Sequence, residues 1–298
     1  MELRHLKYFV AVAEELHFGR AAAKVHITQP VISDQIRRLE QELGVQLFSR
    51  TKRTVQLTKP GKLFFAEAKQ ILEQVEKAVT VVQKAERGEL GSLIIGYTGP
   101  ALYTVLPEIV RTFRDRSPEV ELVLREICTH HQLEALRAGD IEVGFLHPPI
   151  DGNFETVSIM TEKMVLALPE GHPLTSFPQI PVRKLSDQSF ILFPQQEGPS
   201  LYSRILSICQ QAGFNPKIVQ EVTPQPTMIG LVAAGIGVSF VSASLQNLNR
   251  PGVVYRELDV PTPELELVAA WQPTGLSPVL QRFLEVVREV ATKLDDLH

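Results

Sequence analysis

The stretch Phe18–Thr58, FGRAAAKVHITQPVISDQIRRLEQELGVQLFSRTKRTVQLT, decides the fold. Arg20–Val25 predicts a short helix of small residues, which a second helix can cross closely. His26 and Ile27 form the turn. Thr28 is expected to cap the next helix through its hydroxyl, with Pro30 in the first turn, where its missing N–H costs little. Val31, Ile32, Ile36, Leu39 and Leu43 follow, and from Ile32 onward their spacing of 4, 3 and 4 draws one buried stripe. Gly44 stops the helix.

The opposite face carries Gln29, Ser33, Gln35, Arg37 and Arg38. A recognition helix reads bases from its N-terminal residues. Gln29 can pair bidentately with adenine, and Ser33 can serve several bases. Arg37 and Arg38 suit phosphates or internal ion pairs. A solvated amphipathic helix would show a similar face. The segment Phe48–Leu57 separates the two readings, because it predicts a strand, a basic tip and a second strand. Arg50, Lys52 and Arg53 at that tip suit phosphate or minor-groove contact. The expected element is a winged helix-turn-helix bound to double-stranded DNA.

Residues 3–51, LRHLKYFVAVAEELHFGRAAAKVHITQPVISDQIRRLEQELGVQLFSRT, and residues 55–65, VQLTKPGKLFF, resemble the LysR-type transcriptional regulators. The resemblance covers roughly the first 90 residues strongly, and the length and layout of the rest agree. It implies a DNA-binding dimer, two dimers joined into a DNA-bending tetramer, and contact with RNA polymerase in an activator that often represses its own gene. It also implies a sensor of periplasmic-binding-protein plan, most like the branch that answers to aromatic acids and muconate-type products. Asp34 stands where most relatives carry a basic residue. A carboxylate near the groove repels phosphate, so Asp34 is expected to orient Arg37 or Arg38.

Charge distribution agrees with a nucleic-acid head. The chain of 298 residues has a net charge of only −4. Met1–Lys62 nevertheless holds 11 Lys and Arg against 6 Asp and Glu, while the remainder holds 19 against 28. Two distant cysteines, Cys128 and Cys209, fit a reducing cytoplasm rather than a disulfide scaffold or a metal site. Charged residues interrupt the N-terminal apolar positions, against a signal peptide. Met228–Leu245, the most apolar run, contains three glycines and three serines and reads as helix, turn and strand rather than a membrane span.

In chain order, Leu3–Glu15 predicts the first helix, with a stripe of Leu6, Phe9, Val10 and Ala13. Thr58 is expected to cap a helix running to Arg87. Along it Phe64, Ala68, Ile71, Val75, Ala78, Val82 and Ala85 alternate in steps of 4 and 3, a heptad seam that points to dimerisation. Residues 88–91 form a hinge. From Leu93 strands and helices alternate. Leu93–Tyr97, Val120–Ile127 and Ile141–Leu146 are expected strands. Leu102, Leu106, Ile109, Val110 and Phe113 share the face of one helix, and Gln132–Ala138 makes a shorter one. A second set runs from Val165–Leu168 through strand 189–193, helix 201–212, strand 217–221, helix 227–234 and strand 238–241 to strand 265–271 and a terminal helix 278–294.

The expected class is therefore multidomain α/β. A mainly α winged helix-turn-helix (1–58) and a dimerising linker helix (59–87) precede the hinge and an effector-binding domain (92–298). That domain has two Rossmann-like lobes, the first about 92–162 and 265–298, the second about 163–264.

Ligands in open α/β sheets collect outside strand carboxyl ends, at helix N-termini. Four turns occupy such positions: Thr98-Gly99-Pro100-Ala101, Cys128-Thr129-His130-His131, Gln195 to Leu201 with Pro199 and Ser200, and Pro224 to Ile229. A small carboxylate is the expected effector, with no cofactor. The family resemblance places matches of Thr98, Gly99, Thr129, Pro199, Leu201 and Met228 at or near the effector pocket. One of the two histidines could bond an anionic effector; His147, before Pro148-Pro149, reads as structural. Gly235-Ile236-Gly237 follows a helix and precedes a strand, the reverse of a dinucleotide fingerprint.

Two other classes remain. An enzyme with a DNA-binding head would turn over its ligand. An oligomeric DNA-binding protein without sensing would gain no stability from any small molecule.

Overall fold

The computed structural model describes residues 1–51 and 54–295. The chain forms two compact units, Met1–Lys84 and Ala85–His298.

The first unit contains α1 (Leu3–Glu15), α2 (Phe18–Lys24), α3 (Gln29–Leu43), the antiparallel strands β1 (Phe48–Arg50) and β2 (Val55–Leu57), and α4 (Lys59–Glu86). The α1 stripe is Leu6, Phe9, Val12 and Ala13; Val12, not Val10, is fully buried. Phe9 anchors this core, with its ring 5.3 Å from Phe48 and 5.0 Å from Phe64.

Helix α2 starts earlier than small-residue composition suggests, because His17 Nδ1 caps it, accepting from the amides of Gly19 at 3.1 Å and Arg20 at 3.2 Å. Gly44 ends α3 in the left-handed conformation, φ 67°. Thr28 occupies the N-cap of α3, but its hydroxyl makes no capping bond. Val31 lies outside the stripe and is exposed. Thr58 does cap α4, accepting from the amide of Gly61 at 3.0 Å. Gly61 is required there, since a Cβ would stand 2.1 Å from the Leu47 carbonyl oxygen.

The second unit opens with β3 (Gly91–Tyr97), α5 (Gly99–Tyr103), α6 (Leu106–Arg116), β4 (Val120–Glu126), α7 (Thr129–Ala138) and β5 (Val143–Leu146). The strands are parallel in the order β4-β3-β5. The single helix expected over 102–113 is two. Thr104 turns the chain between them and donates its hydroxyl to the Pro100 carbonyl at 2.8 Å.

The 15-residue β6 (Glu155–Pro169) follows, then β7 (Gln179–Ile180), β8 (Ser189–Leu192), α8 (Pro199–Gln211), β9 (Lys217–Glu221), α9 (Gln225–Ala233), β10 (Ser239–Ser242), β11 (Val253–Leu258), β12 (Glu264–Trp271) and α10 (Pro278–Asp295). Strand β6 changes partners along its length. Residues 155–163 pair antiparallel with β12, and residues 164–169 pair with β10 and β11. The chain passes from one lobe to the other at this point, and Glu264 opposite Lys163 brings it back.

Each lobe has its own core. Trp271, Phe113, Phe145 and Phe283 fill the first. Phe190, Phe240, Leu166 and Ile205 fill the second.

Candidate DNA-reading face and interlobe cleft

Helix α3 presents Gln29 at its exposed N-terminal end, with Ser33 one turn on and partly exposed. Gln35 is not available for reading, because its carbonyl oxygen lies 2.9 Å from His5 Nε2 on α1. Asp34 does what its charge implies. It pairs with Arg38 at 2.9 Å and with Arg37 at 3.8 Å, aligning both cations along the helix surface. Pro30 and Thr28 are exposed beside Gln29.

The wing has an organiser that helical periodicity did not reveal. Glu40 is 3% exposed. One carboxylate oxygen accepts from the amides of Leu47 and Phe48, at 2.9 and 3.0 Å, and the other from Arg50 at 2.9 Å. The Arg50 guanidinium also lies 4.7 Å from the centroid of the Phe18 ring. Arg50, expected at the phosphate-contacting tip, is thus held by the body of the head. The contacts expected of Lys52 and Arg53 lie outside the described residues. The available signal was an acid beside Leu39, on the edge of an apolar stripe.

Two expected dimerisation residues belong elsewhere. Ala68 is fully buried in the core of the first unit, and Phe64 packs against that core. Phe64 meets Phe9 of α1, their rings 5.0 Å apart. Ile71, Val79, Val81 and Val82 remain exposed at 40%, 53%, 49% and 69%, beside the half-buried Val75 and the exposed Ala78. Among the described residues of its own unit, nothing buries this apolar face.

In the second unit, the expected ligand positions are four strand-to-helix turns. The β3–α5 turn offers less than expected. Ala101 and Pro100 are buried, and the Ala101 amide already donates to the Thr98 carbonyl at 3.0 Å. Helix α5 has only five residues, so its dipole is weak. Thr98 and Gly99 are what this turn presents. On α7, Thr129 is partly exposed. His130 turns outward, 3.4 Å from Glu134 one turn along, which removes it from the expected ligand set. His131 Nδ1 lies 3.0 Å from Cys128 Sγ. Met228 is fully buried in the second lobe's core, packed with Val165 and Val241, and also leaves the set. Pro199 and Ser200 are exposed at the start of α8, while Leu201 packs partly against the core.

His147 ties the first two turns together. Its Nδ1 donates to the Glu266 carbonyl on β12 at 2.8 Å, which leaves Nε2 to accept from the Thr98 hydroxyl at 3.4 Å. Its backbone amide donates to Thr129 Oγ1 at 3.3 Å. Burial holds its pKa below the ordinary histidine value, against the raising pull of the Glu266 carbonyl. The sequence signal was its place at the carboxyl end of β5, where ligands collect.

Turns from the two lobes face each other. Burial raises the Cys128 thiol's pKa, and the Glu197 carboxylate from the other lobe, one residue before Gly198, adds to the rise. Neither α7 nor α8 has a side-chain cap; their N-cap residues are Cys128 and Gly198. Pro199 has no N–H, so α8 offers the Ser200 and Leu201 amides to an anion, while at α7 the His130 and His131 amides turn toward the Cys128 thiol. Among the described residues, no group of three or more His, Cys, Asp or Glu is arranged to hold a metal ion, and no helix is long and apolar enough to cross a membrane.

Two family models match this chain. "Bacterial regulatory helix-turn-helix protein, lysR family" covers residues 3–62, and "LysR substrate binding domain" covers residues 86–292. The HTH-type transcriptional regulator AlsR of Bacillus subtilis (strain 168) is 42% identical over 99% of both chains. The Hca operon transcriptional activator HcaR of Escherichia coli (strain K12) is 36% identical over 97% of this chain and 98% of its own. Full-length CbnR, solved in complex with its target DNA, is 31% identical. It superposes with a TM-score of 0.83 over 98% of this chain and 100% of its own.

Proposed function

This chain belongs to the LysR family of bacterial transcriptional regulators, DNA-binding proteins with an effector-binding domain, and from that premise we propose how its own residues divide the work. The unit Met1–Lys84 reads DNA through Gln29 and Ser33 of α3, with Thr28 and Pro30 setting the helix entry. Arg37 and Arg38, aligned by Asp34, meet phosphates together with Lys52 and Arg53 of the wing. Arg50 positions the wing rather than touching DNA. The outer part of α4, from Ile71 through Val75 and Ala78 to Val82, pairs two copies. Two recognition helices then meet two half-sites about one helical turn, or a multiple, apart. Two such dimers join into a tetramer.

The effector is a small carboxylate held between the lobes. The two uncapped helix N-termini, α7 and α8, in facing turns carry this reading. Thr98 and Thr129 supply hydroxyls, Gly99, Ser200 and Leu201 supply amides, and Pro199 shapes the wall. His147 positions both threonines against β12, so a ligand that draws on either hydroxyl acts on the crossover between lobes. Glu197 repels an anion, which places the carboxylate on the threonine side. The ligand regulates by binding one lobe arrangement better than another. Members of this family regulate transcription rather than catalyse reactions. Activation, as in the relative named an operon activator, is the proposed mode at target promoters, through contact with RNA polymerase.

The first test is Thr129→Val, titrated with benzoate and cis,cis-muconate in a thermal-shift assay. Wild-type protein should gain stability by mass action, and the variant should lose that gain while keeping its operator affinity. An identical ligand response in the variant would remove Thr129 from the pocket. Base reading is tested by Gln29→Ala. Discrimination between operator and random DNA should fall by about 1–3 kcal/mol. Equal losses on both DNAs would assign Gln29 to the backbone instead.

A further inference from the structure

A cavity of about 450 Å³ lies where β6 changes partners, lined among others by Thr104, Glu162, Lys163, Ser244, Asn247 and Tyr255. It shares no residue with the turns proposed to hold the carboxylate.

Its polar groups are incompletely used. Ser244 is 8% exposed, and its Oγ stands beside the Glu162 carboxylate without a well-formed hydrogen bond; the buried Tyr255 Oη makes none. Buried polar atoms of this kind are uncommon in folded proteins and call for a partner. The half-buried Glu162 carboxylate accepts from the Ser244 amide at 2.9 Å, and no Lys, Arg or His of the described residues pairs with it. Arg256, although it lines the same space, is committed to the carbonyls of Tyr255 at 2.9 Å and Thr175 at 3.2 Å. Burial pushes the Glu162 pKa up, against the lowering effect of the Ser244 amide and of the Ser244 and Ser242 hydroxyls beside it. Asn247 donates its amide to the Tyr103 carbonyl at 3.2 Å, which leaves its side-chain oxygen free to accept.

The lining carries two acids, Glu162 and Glu257, and two cations, Lys163 and Arg256, and Glu162 makes no ion pair with either cation. An anion would be repelled by Glu162. A purely apolar molecule would leave Ser244, Tyr255 and Glu162 unsatisfied. An ammonium group answers the carboxylate, and a neighbouring hydroxyl or carbonyl answers the two free hydroxyls.

We propose that this cavity is a second small-molecule site, for a polar metabolite carrying a protonated amine beside hydroxyl or carbonyl groups. Glu162 takes the ammonium, and Ser244 and Tyr255 bond the adjacent polar atoms. Thr104 belongs to the first lobe, and Ser244, Asn247 and Tyr255 to the second. An occupant therefore touches both lobes beside the crossover and adds a cationic input to the anionic one.

The test is calorimetric titration of the full-length protein with ethanolamine and with L-serine, using ethylene glycol as the amine-free control. Saturable binding of at least one amine and none of the glycol is expected. Glu162→Gln should weaken it roughly thirtyfold or more, as for a truncated buried charge contact. Tyr255→Phe, which keeps the ring packing, should weaken it about two- to tenfold. Thr129→Val should leave it unchanged, which separates this site from the carboxylate cleft. Absence of saturable amine binding to the wild type overturns the proposal. So does amine binding that Tyr255→Phe and a folded Glu162→Gln both leave intact.

Discussion

Replacing Glu40 with alanine should destabilise the N-terminal unit by about 3–5 kcal/mol, the range for breaking a buried charge pair from one side. The carboxylate accepts from two backbone amides and the Arg50 guanidinium. Its removal orphans the amides of Leu47 and Phe48 at buried positions, each at a cost of about 1–3 kcal/mol unless water reaches it. It also frees Arg50 from the only ion pair that it makes among the described residues. Since a domain is stable by only about 5–15 kcal/mol, much of the head's margin would be lost. Calorimetry of the full chain should show the transition of the head moved down while that of the sensor stays in place, and operator binding should fall with it. Glu40→Gln should lie between, because its side-chain carbonyl can still accept from both amides while its NH2 cannot pair with Arg50. A head that melts at the wild-type temperature in Glu40→Ala would mean that the wing is held by its aromatic contacts alone.

Val82→Glu should separate the dimer. Val82 is 69% exposed on α4, beside Val79 and Val81, at 53% and 49%. These side chains contribute little to their own unit, so the substitution leaves the head folded. Buried against a second copy of α4, the new carboxylate would meet its twin in an apolar seam, where an unpaired charge is expensive. A dimer engages its second half-site intramolecularly, and losing that advantage lowers operator affinity by about 10²–10⁴. Sedimentation at micromolar protein and operator titration read the two effects separately. A Val82→Glu protein that still sediments as wild type would move the dimer contact off this face. Weakened operator binding without dissociation would point to a role in reach rather than in assembly.

The seam shows how far periodicity carries. Phe64 through Val82 keeps one unbroken heptad rhythm, but its first members serve one purpose and its last another. Ala68 is buried in the core of its own unit, whereas Val82 is exposed. Spacing reports that a face is apolar and is silent on what covers it. The expected effector residues divide in the same way. Turn position correctly located Thr98, Thr129 and the start of α8 at strand carboxyl ends. It could not tell that Ala101 spends its amide on Thr98, that Met228 is core, or that His130 turns to Glu134. His147, read as structural, is the residue that bonds to both threonines.

What the sequence by itself determined is local. The existence of most helices followed from periodicity, the ends of α3 and α4 from Pro30, Gly44 and Thr58, and the basic head from charge counting, because each depends on neighbours within a few turns. Tertiary structure alone decided the rest. Strand β6 could not be read in full, since residues 155–163 alternate weakly and find their partner in β12, about a hundred residues later. Glu40 and Glu162 are both acids on partly apolar elements. Their surroundings distinguish them, as one is neutralised by Arg50 and two amides and the other makes no ion pair among the described residues. Whether a polar group is free to bind depends on what else reaches it in space, and those contacts are made by residues that sequence spacing does not bring together.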